Sequence, residues 1–437
     1  MTENVDNTSF FHPATKMYRY TVLAFVSLLT LGSYFAYDII GAVADSLMTT
    51  LGATESQVGS MYTMYSIAAI VAVFVAGFLI DRLGTRKGSM IFSLIVFAGA
   101  AIVAIAPNMT VLYIGRLIFG AGSEPLIVVQ SAILARWFKG KELALSFGIA
   151  LTVSRMGTLF AFNTGELLSS HFGGPRYALI AAALICIISV AANVVYVFMD
   201  RRGERILKLR DEGSEDKVVL TDIKFLTPSF WYVTLLCVTF YSAIFPFTAL
   251  ALRFFNEKWA IPLVSAQEGG FFHKVFANFS NMFSTAGGIA SIIIFASMIL
   301  APFAGKMVDK FGKRATIMIF GSLLMIPAHL LMGITKIYPV IPMIVLGAAF
   351  VLVPASMWPS VPLVVKKERV GTAFGIMTAI QNIGLGLFPY LNGKLREITG
   401  SYTSSQIMFA SLGLFGLVFA FLLLRADKKA GNVLEKP

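Results

Sequence analysis

The chain has 437 residues, of which 57% are hydrophobic and only 13% are charged. A soluble domain averages about 25% charged residues, so this composition argues against a cytosolic enzyme. The net charge of +12 could suit a nucleic-acid-binding protein, but the basic residues cluster between long apolar runs, as topology-setting charges do. We therefore expect a multi-pass membrane protein that contacts membrane lipid and has no nucleic-acid partner.

Apolar runs long enough to cross a hydrocarbon core of about 30 Å recur along the whole chain. Only helices satisfy their backbone groups inside lipid unless a barrel closes, so each run predicts one helix. The sequence predicts an all-α membrane protein with twelve transmembrane helices. The runs lie at about 19–44, 58–80, 88–107, 109–136, 142–166, 177–199, 229–255, 288–308, 315–335, 339–365, 370–393 and 403–425.

The distribution of Lys and Arg predicts the orientation of these helices. With the N-terminus in the cytoplasm, the inward segments carry 26 basic residues and the outward loops carry 6. Basic residues concentrate on the cytoplasmic side, so we expect both termini there. The predicted organisation is a tail at 1–18, a six-helix half at 19–199, a cytoplasmic linker at 200–228, a second half at 229–425 and a tail at 426–437.

The predicted outward loop at 256–287 contains phenylalanines at roughly helical spacing. They stand at positions 271, 272, 276, 279 and 283, with His273 and Lys274 among them. This pattern predicts a helix that lies in the membrane interface. A surface for docking a partner is the open alternative.

An internal repeat joins the two halves. Two segments match at a displacement of 228 residues: Gly77-Phe-Leu-Ile-Asp81-Arg82-Leu-Gly84-Thr-Arg86 and Gly305-Lys-Met-Val-Asp309-Lys-Phe-Gly312-Lys-Arg314. Phe147-Gly148-Ile149 and Phe374-Gly375-Ile376 match at a displacement of 227. Two matches at almost one offset indicate duplication of a six-helix unit in parallel orientation. The glycines would permit a tight turn and a close approach of helices.

The repeated segment resembles the signature loop of the major facilitator superfamily. Gly115-Arg116-Leu-Ile-Phe-Gly120-Ala-Gly122 is similar to a second motif of that family, which centres on a membrane arginine. The resemblance implies two six-helix bundles, a central cavity and rocking-bundle alternating access. We expect a conformational switch whose residues do not contact substrate. These residues are Gly77, Asp81, Arg82, Gly84, Arg86, Gly305, Asp309, Gly312, Arg314 and Arg116.

Further segments resemble the lysosomal dipeptide uniporter branch of the superfamily. They include Gly32-Ser-Tyr-Phe-Ala-Tyr37-Asp38, Trp137-Phe-Lys-Gly-Lys-Glu142, Ser154-Arg155-Met-Gly157, Phe245-Pro-Phe247, Trp358-Pro359 and Ile380-Gln-Asn382. The resemblance implies facilitative transport of dipeptides. The N-terminal tail lacks the acidic dileucine signal of the lysosomal members. We therefore expect the plasma membrane, or the inner membrane of a bacterium, rather than a lysosome.

Ionisable residues inside predicted helices are candidate functional residues, because burying a charge in a membrane is costly. Glu124 and Arg155 fall within roughly 3 Å of the midplane at 1.5 Å per residue, the depth of substrate sites in transporters. We expect Glu124 to bind the ammonium of a dipeptide and Arg155 to clamp its carboxylate. The alternative is a buried structural ion pair between the two helices.

Other polar or aromatic residues near mid-depth complete the predicted substrate site. Tyr34 and Asp38 could line the cavity, although Asp38 could instead pair with Arg116. In the second half the candidates are Tyr241, Trp358, Gln381 and Asn382. Each suits contacts to a peptide.

The sequence contains no His/Cys/Asp spacing typical of a metal site, no Gly-x-Ser-x-Gly motif of a hydrolase and no Gly-Lys-Ser phosphate loop. We therefore predict a transporter without a cofactor or metal. The alternative within transporters is a proton-coupled carrier of another small organic solute or drug. Outside that class, a non-transporting receptor or scaffold stays open, as does an accessory membrane subunit.

Overall fold

In a computed structural model, the described residues are 12–138, 142–207 and 220–436. Within them the chain forms fifteen α-helices and has no β-strand. The helices are α1 Lys16–Leu28, α2 Leu31–Ala42, α3 Ala44–Leu51, α4 Glu55–Ile105, α5 Met109–Phe138, α6 Leu143–Phe172, α7 Pro175–Leu207, α8 Pro228–Trp259, α9 Phe271–Ser280, α10 Ala286–Ala290, α11 Ile292–Phe311, α12 Arg314–Ile334, α13 Val340–Val364, α14 Val370–Thr399 and α15 Thr403–Lys429. The described part leaves out positions 208–219 of the predicted linker. It also leaves out the surroundings of Gly77 and the side chain of Asp81.

Twelve helical segments are long and apolar enough to cross a membrane, which confirms the predicted number. We number them spans 1 to 12: Lys16–Ala42, Glu55–Ala76, Arg82–Ile105, Met109–Phe138, Leu145–Phe172, Pro175–Leu207, Pro228–Trp259, Ala286–Phe311, Arg314–Ile334, Val340–Val364, Val370–Thr399 and Thr403–Lys429. Span 1 consists of α1 and α2, and α4 contains both span 2 and span 3. Because the chain reverses after each span, Lys16 and Lys429 lie on the same side, which we call the tail side. The opposite side is the far side.

The spans form two six-helix bundles. Spans 2, 3, 4 and 6 pack together and span 1 packs on spans 5 and 6, while span 7 packs on spans 11 and 12 in the second bundle. Span 6 continues to Leu207, past the predicted start of the linker at residue 200. The helix continues because Asp200 is fully buried against Arg86 and Arg136 of its own bundle.

Glycines bring the two bundles into close contact on the far side. A methyl group at Gly59 of span 2 would lie 2.3 Å from the carbonyl oxygen of Pro389 in span 11. A methyl group at Gly287 of span 8 would lie 2.0 Å from the carbonyl oxygen of Phe162 in span 5. Only glycine allows backbones to approach this closely, so the contact depends on these positions.

An ionic network joins the bundles at the same far-side surface. Arg253 of span 7 pairs with Asp45 and has its Nε 3.7 Å from Glu55 Oε1, and both carboxylates belong to the first bundle. Arg253 also contacts Glu257, which in turn lies 2.9 Å from Arg396. Together with the glycine contacts, this network holds the far-side ends of the bundles together.

The turns of the repeated segment agree with the prediction at two glycines and disagree at a third. Gly84 has φ 75° and Gly312 has φ 64°, a conformation that favours glycine. At Gly305, however, a methyl group would meet no atom within 4 Å. The predicted close helix approach at Gly305 is therefore wrong for this conformation, because no neighbouring helix reaches that surface.

The predicted outward loop contains the helix that its phenylalanines indicated. It is α9, and its Phe272 and Phe276 are 84% and 70% exposed. Such exposure of large apolar rings fits contact with lipid, while a location in the membrane interface stays a prediction.

The basic-residue asymmetry predicts that the tail side faces the cytoplasm. We would introduce Phe225→Cys on the tail side and Glu268→Cys on the far side, both at exposed positions. The native Cys186 and Cys237 are buried and give little background. In intact cells, a membrane-impermeant thiol reagent should label only Glu268→Cys. Labelling of Phe225→Cys without permeabilisation would overturn the orientation.

Candidate functional site

Two hydroxyl contacts place spans 4 and 5 against the middle of span 1. Ser33 Oγ lies 2.5 Å from Ser123 Oγ, and Thr30 Oγ1 lies 2.5 Å from Ser154 Oγ. Thr30 and Ser33 are about one helical turn apart, so spans 4 and 5 meet span 1 at nearly the same depth. The residues that directly follow the two serines are the predicted charged pair.

Glu124 lies at the middle of span 4 and is partly buried. The hydroxyl of Tyr65 in span 2 is 2.9 Å from Glu124 Oε1 and donates to it. The same hydroxyl is 3.1 Å from Ser123 Oγ. Glu124 forms no ion pair with any described residue, so its charge is held by a neutral donor.

Arg155 lies about 5 Å from the middle of span 5 at 1.5 Å per residue. Its guanidinium carbon is 5.4 Å from the ring centre of Tyr34, 5.4 Å from Phe245 and 5.3 Å from Phe350. No ion pair joins Arg155 to a described carboxylate, and its Nε has no described hydrogen-bond partner. The alternative of a structural ion pair with Glu124 is therefore absent from this conformation.

The second bundle contributes an aromatic cluster on the other side of Arg155. Tyr241 stacks parallel to Phe245, with ring centres 5.7 Å apart. The indole Nε1 of Trp358 donates to the hydroxyl of Tyr241 over 3.0 Å. Trp358 in turn stacks on Phe374. The structure thus brings two of the four predicted second-half residues, Tyr241 and Trp358, to the site.

The other two predicted residues of the second half are not part of this cluster. The side-chain amide of Asn382 donates to the carbonyl of Thr378 in its own helix over 3.1 Å, and Asn382 is 1% exposed. Gln381 has no hydrogen bond to a described residue. Both belong to span 11, which packs along span 2 rather than along span 5.

Arg116 is almost fully buried inside the first bundle, with 1% exposure. Its guanidinium lies 5.0–5.4 Å from four ring centres, those of Tyr37, Tyr62, Tyr65 and Phe119. It donates to backbone carbonyls of spans 1 and 2 at 3.0 and 3.3 Å. The ring of Tyr65 therefore contacts Arg116 while its hydroxyl holds the carboxylate of Glu124.

In this conformation Asp38 does not pair with Arg116 and contacts span 5 instead. Its Oδ2 accepts a hydrogen bond from Thr158 of span 5 over 2.6 Å. Asp38 is only 5% exposed, so it belongs to the packed interface of spans 1 and 5. The structure does not show it lining an open cavity.

Arg86, one of the predicted switch residues, belongs to an ionic cluster on the tail side of the first bundle that centres on the fully buried Asp200. Asp200 accepts from Arg136 Nη1 at 3.1 Å and from Trp137 Nε1 at 2.7 Å, and Arg86 Nε is 3.5 Å away. Arg86 also reaches Glu204 at 2.5 Å. This cluster ties the signature loop to span 4 and span 6.

The matching residues of the second bundle are arranged differently. Asp309 is exposed and has neither a hydrogen bond nor an ion pair with a described residue. Arg314 donates to the carbonyl of Lys436 over 2.9 Å. Arg82, in the first bundle, is exposed.

Across the described residues, no group of three or more His, Cys, Asp or Glu could hold a metal ion.

Three aromatic residues of the site escaped the sequence analysis: Tyr65, Phe245 and Phe350. In a chain with 38 phenylalanines and 14 tyrosines, composition does not separate these rings from those that face lipid. The arginine itself was the available signal, since a cation inside a span without a nearby carboxylate must contact ring faces or carbonyls.

The Major Facilitator Superfamily profile matches residues 26–272 and 260–437 of the chain. The lysosomal dipeptide transporter MFSD1 of Danio rerio is 32% identical over 429 residues, which cover 95% of this chain and 88% of that protein. The human protein of the same name is 31% identical and covers 96% and 89%. A hexuronate transporter of Bacillus subtilis is 22% identical over 95% of this chain and 97% of its own length. The crystal structure of the nucleoside transporter NupG superposes with a TM-score of 0.69 at 15% identity, covering 93% of this chain and 99% of that chain.

The Asp200 cluster predicts a large and specific loss of stability. In Asp200→Ala, the 5%-exposed side chain of Arg136 loses the nearer of its two described carboxylates, at 3.1 Å against 4.0 Å for Glu204, and breaking a buried pair costs about 3–5 kcal/mol. Glu204→Gln is the matched control, because Glu204 is 38% exposed and belongs to the same cluster. We expect the melting temperature of the purified protein to fall clearly in Asp200→Ala and little in Glu204→Gln. Equal small effects would contradict a structural role for Asp200.

Proposed function

Because this chain belongs to the Major Facilitator Superfamily, we propose that it carries dipeptides across a membrane as a facilitative uniporter. Membership in the family makes it a multi-pass secondary transporter and not an enzyme. The relatives named as dipeptide transporters support the choice of substrate class. The observation that carries the proposal is a pair of opposite charges near mid-depth that are paired neither with each other nor with another described residue.

Glu124 is proposed to bind the ammonium end of the peptide. A carboxylate at this depth must be stabilised, and here the Tyr65 hydroxyl supplies one hydrogen bond at 2.9 Å. A carboxylate has about four lone-pair sites, so one neutral donor leaves capacity for an ammonium. Bringing the ammonium to Glu124 lets each charge compensate for the water that the other has lost.

Arg155 is proposed to bind the carboxylate end. Phe245 and Phe350 carry no hydrogen-bonding group, Tyr34 contacts the guanidinium through its ring, and no described residue accepts from it, so its five N–H donors stay available for an incoming anion. A planar guanidinium can hold a carboxylate through two parallel bonds, which a lysine cannot do.

Recognition of the two ends sets the length of the substrate. The ammonium and carboxylate of an extended dipeptide are roughly 5–7 Å apart. A single amino acid spans too little to reach both residues, and a longer peptide would press a charged end into apolar walls. The aromatic cluster of Tyr241, Phe245 and Trp358 offers apolar contact to a side chain without fixing its identity. Broad selectivity among dipeptides follows.

The signature loops are proposed to control the change between facing states. In the first bundle, Arg86 connects this loop to Asp200 and Glu204, all on the tail side. These residues lie near the ends of their spans, whereas Glu124 lies in the middle of span 4. Substitutions in the loop should therefore alter the rate of transport while leaving peptide binding intact.

The membrane that holds the chain is a separate question. The expectation of a plasma membrane or bacterial inner membrane rests on the N-terminal tail, which contains no acidic dileucine signal. The relatives at 31–32% identity are named as lysosomal proteins, which gives that expectation no support. An accessory membrane subunit also stays an open part of the proposal.

The test is transport and binding of alanylalanine with free, N-acetylated or C-amidated ends in proteoliposomes. In wild type, blocking either end removes one charge pair and should weaken binding at least about tenfold. Blocking the amine should matter far less in Glu124→Gln, and blocking the carboxylate far less in Arg155→Lys. Glu166→Gln is the control. Glu166 is also a carboxylate within a span, but it belongs to span 5 and accepts a hydrogen bond from Ser46.

Three results would contradict the proposal. If blocked and free peptides bind wild type equally well, Glu124 and Arg155 do not recognise the ends. If flux requires a pH gradient, the chain is a proton-coupled carrier and not a uniporter. If peptides bind but no flux occurs, the receptor or scaffold alternative holds.

A further inference from the structure

The rings around Arg155 come from both bundles. Tyr34 belongs to span 1 of its own bundle, whereas Phe245 and Phe350 belong to spans 7 and 10 of the other. At 5.3–5.4 Å from the ring centres, the guanidinium lies within the range of attraction to an aromatic face. The site thus holds its cation by contacts that cross between the bundles.

The two rings of the second bundle are themselves fixed in place. Phe245 stacks on Tyr241 with an interplanar angle of 3°, and Phe350 meets Phe245 edge-on at 5.5 Å. The Tyr241 hydroxyl accepts the hydrogen bond from Trp358. Phe245 and Phe350 therefore present a preorganised surface to Arg155 and do not merely collapse onto it.

A carrier that performs net transport must return empty, and this step is hard for a site with a partly buried cation. Without substrate, the guanidinium of Arg155, whose Nε is enclosed, has no described carboxylate to compensate for the water it has lost. A carrier with such a charge would return only after binding a new anion, and would then exchange substrates without net flux. Ring faces are the available neutral partners, since they attract a cation without carrying charge.

We propose that Phe245 and Phe350 are positioning residues that hold Arg155 in the empty carrier and so permit net transport. This inference rests on the proposed function, because it assigns the substrate carboxylate to Arg155. On binding, the carboxylate accepts hydrogen bonds from the guanidinium, while the rings remain as the apolar wall. On release, the rings again become the main contacts of the cation.

The test compares two modes of alanylalanine transport in the same proteoliposomes: net efflux into peptide-free buffer, and exchange against saturating external peptide. Phe245→Leu and Phe350→Leu should slow net efflux about tenfold, the loss expected for a partly desolvated cation–ring contact, while exchange falls by a clearly smaller factor. Phe245→Tyr retains a ring face and should keep the wild-type ratio of net efflux to exchange. Phe374→Leu is the matched control, because Phe374 stacks on Trp358 and is not among the rings over Arg155.

The outcomes separate this inference from the function it rests on. If wild type transports the peptide and the leucine variants slow both modes equally, the rings are structural and the inference fails alone. If alanylalanine crosses in neither mode in wild type, the proposed function fails and the inference falls with it. If one leucine variant does not fold, the other leucine variant and Phe245→Tyr decide the question.

A second inference comes from the segment at 430–436, which we call the C-terminal clasp. It turns back after α15 and covers the start of α12 on the tail side. Glu435 accepts from the backbone N–H of Thr316 at 3.0 Å and from its hydroxyl at 2.7 Å. The amides of Lys313 and Arg314 donate to carbonyls of the clasp at 3.2 and 2.9 Å. Leu434 is fully buried.

These contacts supply what the start of α12 lacks. Lys313 stands at the N-cap with φ 49°, and its side chain makes no capping hydrogen bond. The first N–H groups of a helix have no partner within the helix, and a side-chain acceptor usually satisfies one of them. Here Glu435 and the backbone of the clasp take that role from a distant part of the chain.

The internal repeat indicates what the clasp supplies in the second bundle. Asp427 stands 227 residues after Asp200, the same offset as one of the repeat matches. In the first bundle Asp200 is compensated by Arg136, but position 363, at this offset from Arg136, is a leucine. Asp427 is 2% exposed and accepts from the amide of Leu434 at 3.0 Å instead.

We infer that the clasp fixes the signature loop of the second bundle in place of the missing arginine. In the purified full chain, Glu435→Ala should speed hydrogen exchange at the amides of residues 313, 314 and 316 about fivefold, the effect of losing a typical cap. Leu434→Ala should do the same by loosening the clasp. Lys436→Ala is the control, since Lys436 contributes only its carbonyl to Arg314. Unchanged exchange in both alanine variants, with residues 84–90 as the internal reference, would overturn the inference.

Discussion

The arrangement of this protein depends on how it compensates the charges it buries between its spans. Arg116 is enclosed by four rings and two carbonyls of one bundle, which suits a residue that never leaves the packed interior. Arg155 has ring contacts but no described acceptor, and Glu124 has one neutral donor. Each guanidinium has a buried nitrogen without a described acceptor, Nη2 in Arg116 and Nε in Arg155, but only Arg116 donates to described carbonyls. A cation that already has acceptors stabilises a fold, whereas one with none retains more capacity for a ligand. This difference, rather than depth alone, separates Arg116 from the candidate site.

Duplication gave both bundles the same signature segment, yet they stabilise it by different means. The first bundle surrounds Asp200 with two arginines and an indole, so its loop is held by charge. The second bundle has an apolar residue in place of Arg136 and holds its loop by backbone contacts from the clasp. Charge pairs tolerate small displacements, whereas capping bonds require a fixed geometry. The two loops therefore respond differently to movement of the bundles.

The sequence predicted features that depend on local pattern and missed those that depend on packing. Apolar run length determined the twelve spans, and the repeat located both turn glycines, Gly84 and Gly312. The cost of charge in lipid singled out Glu124 and Arg155. Of the rings that contact Arg155, Tyr34 was predicted, whereas Phe245 and Phe350 were not, because spans 5, 7 and 10 are distant in the chain and their phenylalanines share the composition of lipid-facing helices. The hydrogen bond of Asn382 to its own helix was not predicted for the same reason: depth was predictable, but the rotation of span 11 was not.

The partners of Glu124 and Arg155 differ in which bundle they belong to, and this has a consequence for the proposed transport cycle. Tyr65 lies in the same bundle as Glu124, so its hydrogen bond moves with the carboxylate when the bundles rock. Phe245 and Phe350 lie in the other bundle, so their contact with Arg155 changes with every movement between the bundles. The ammonium end of a bound dipeptide would therefore keep a constant environment. The carboxylate end would be bound where the two bundles meet, and it is there that binding energy can favour one facing state over the other.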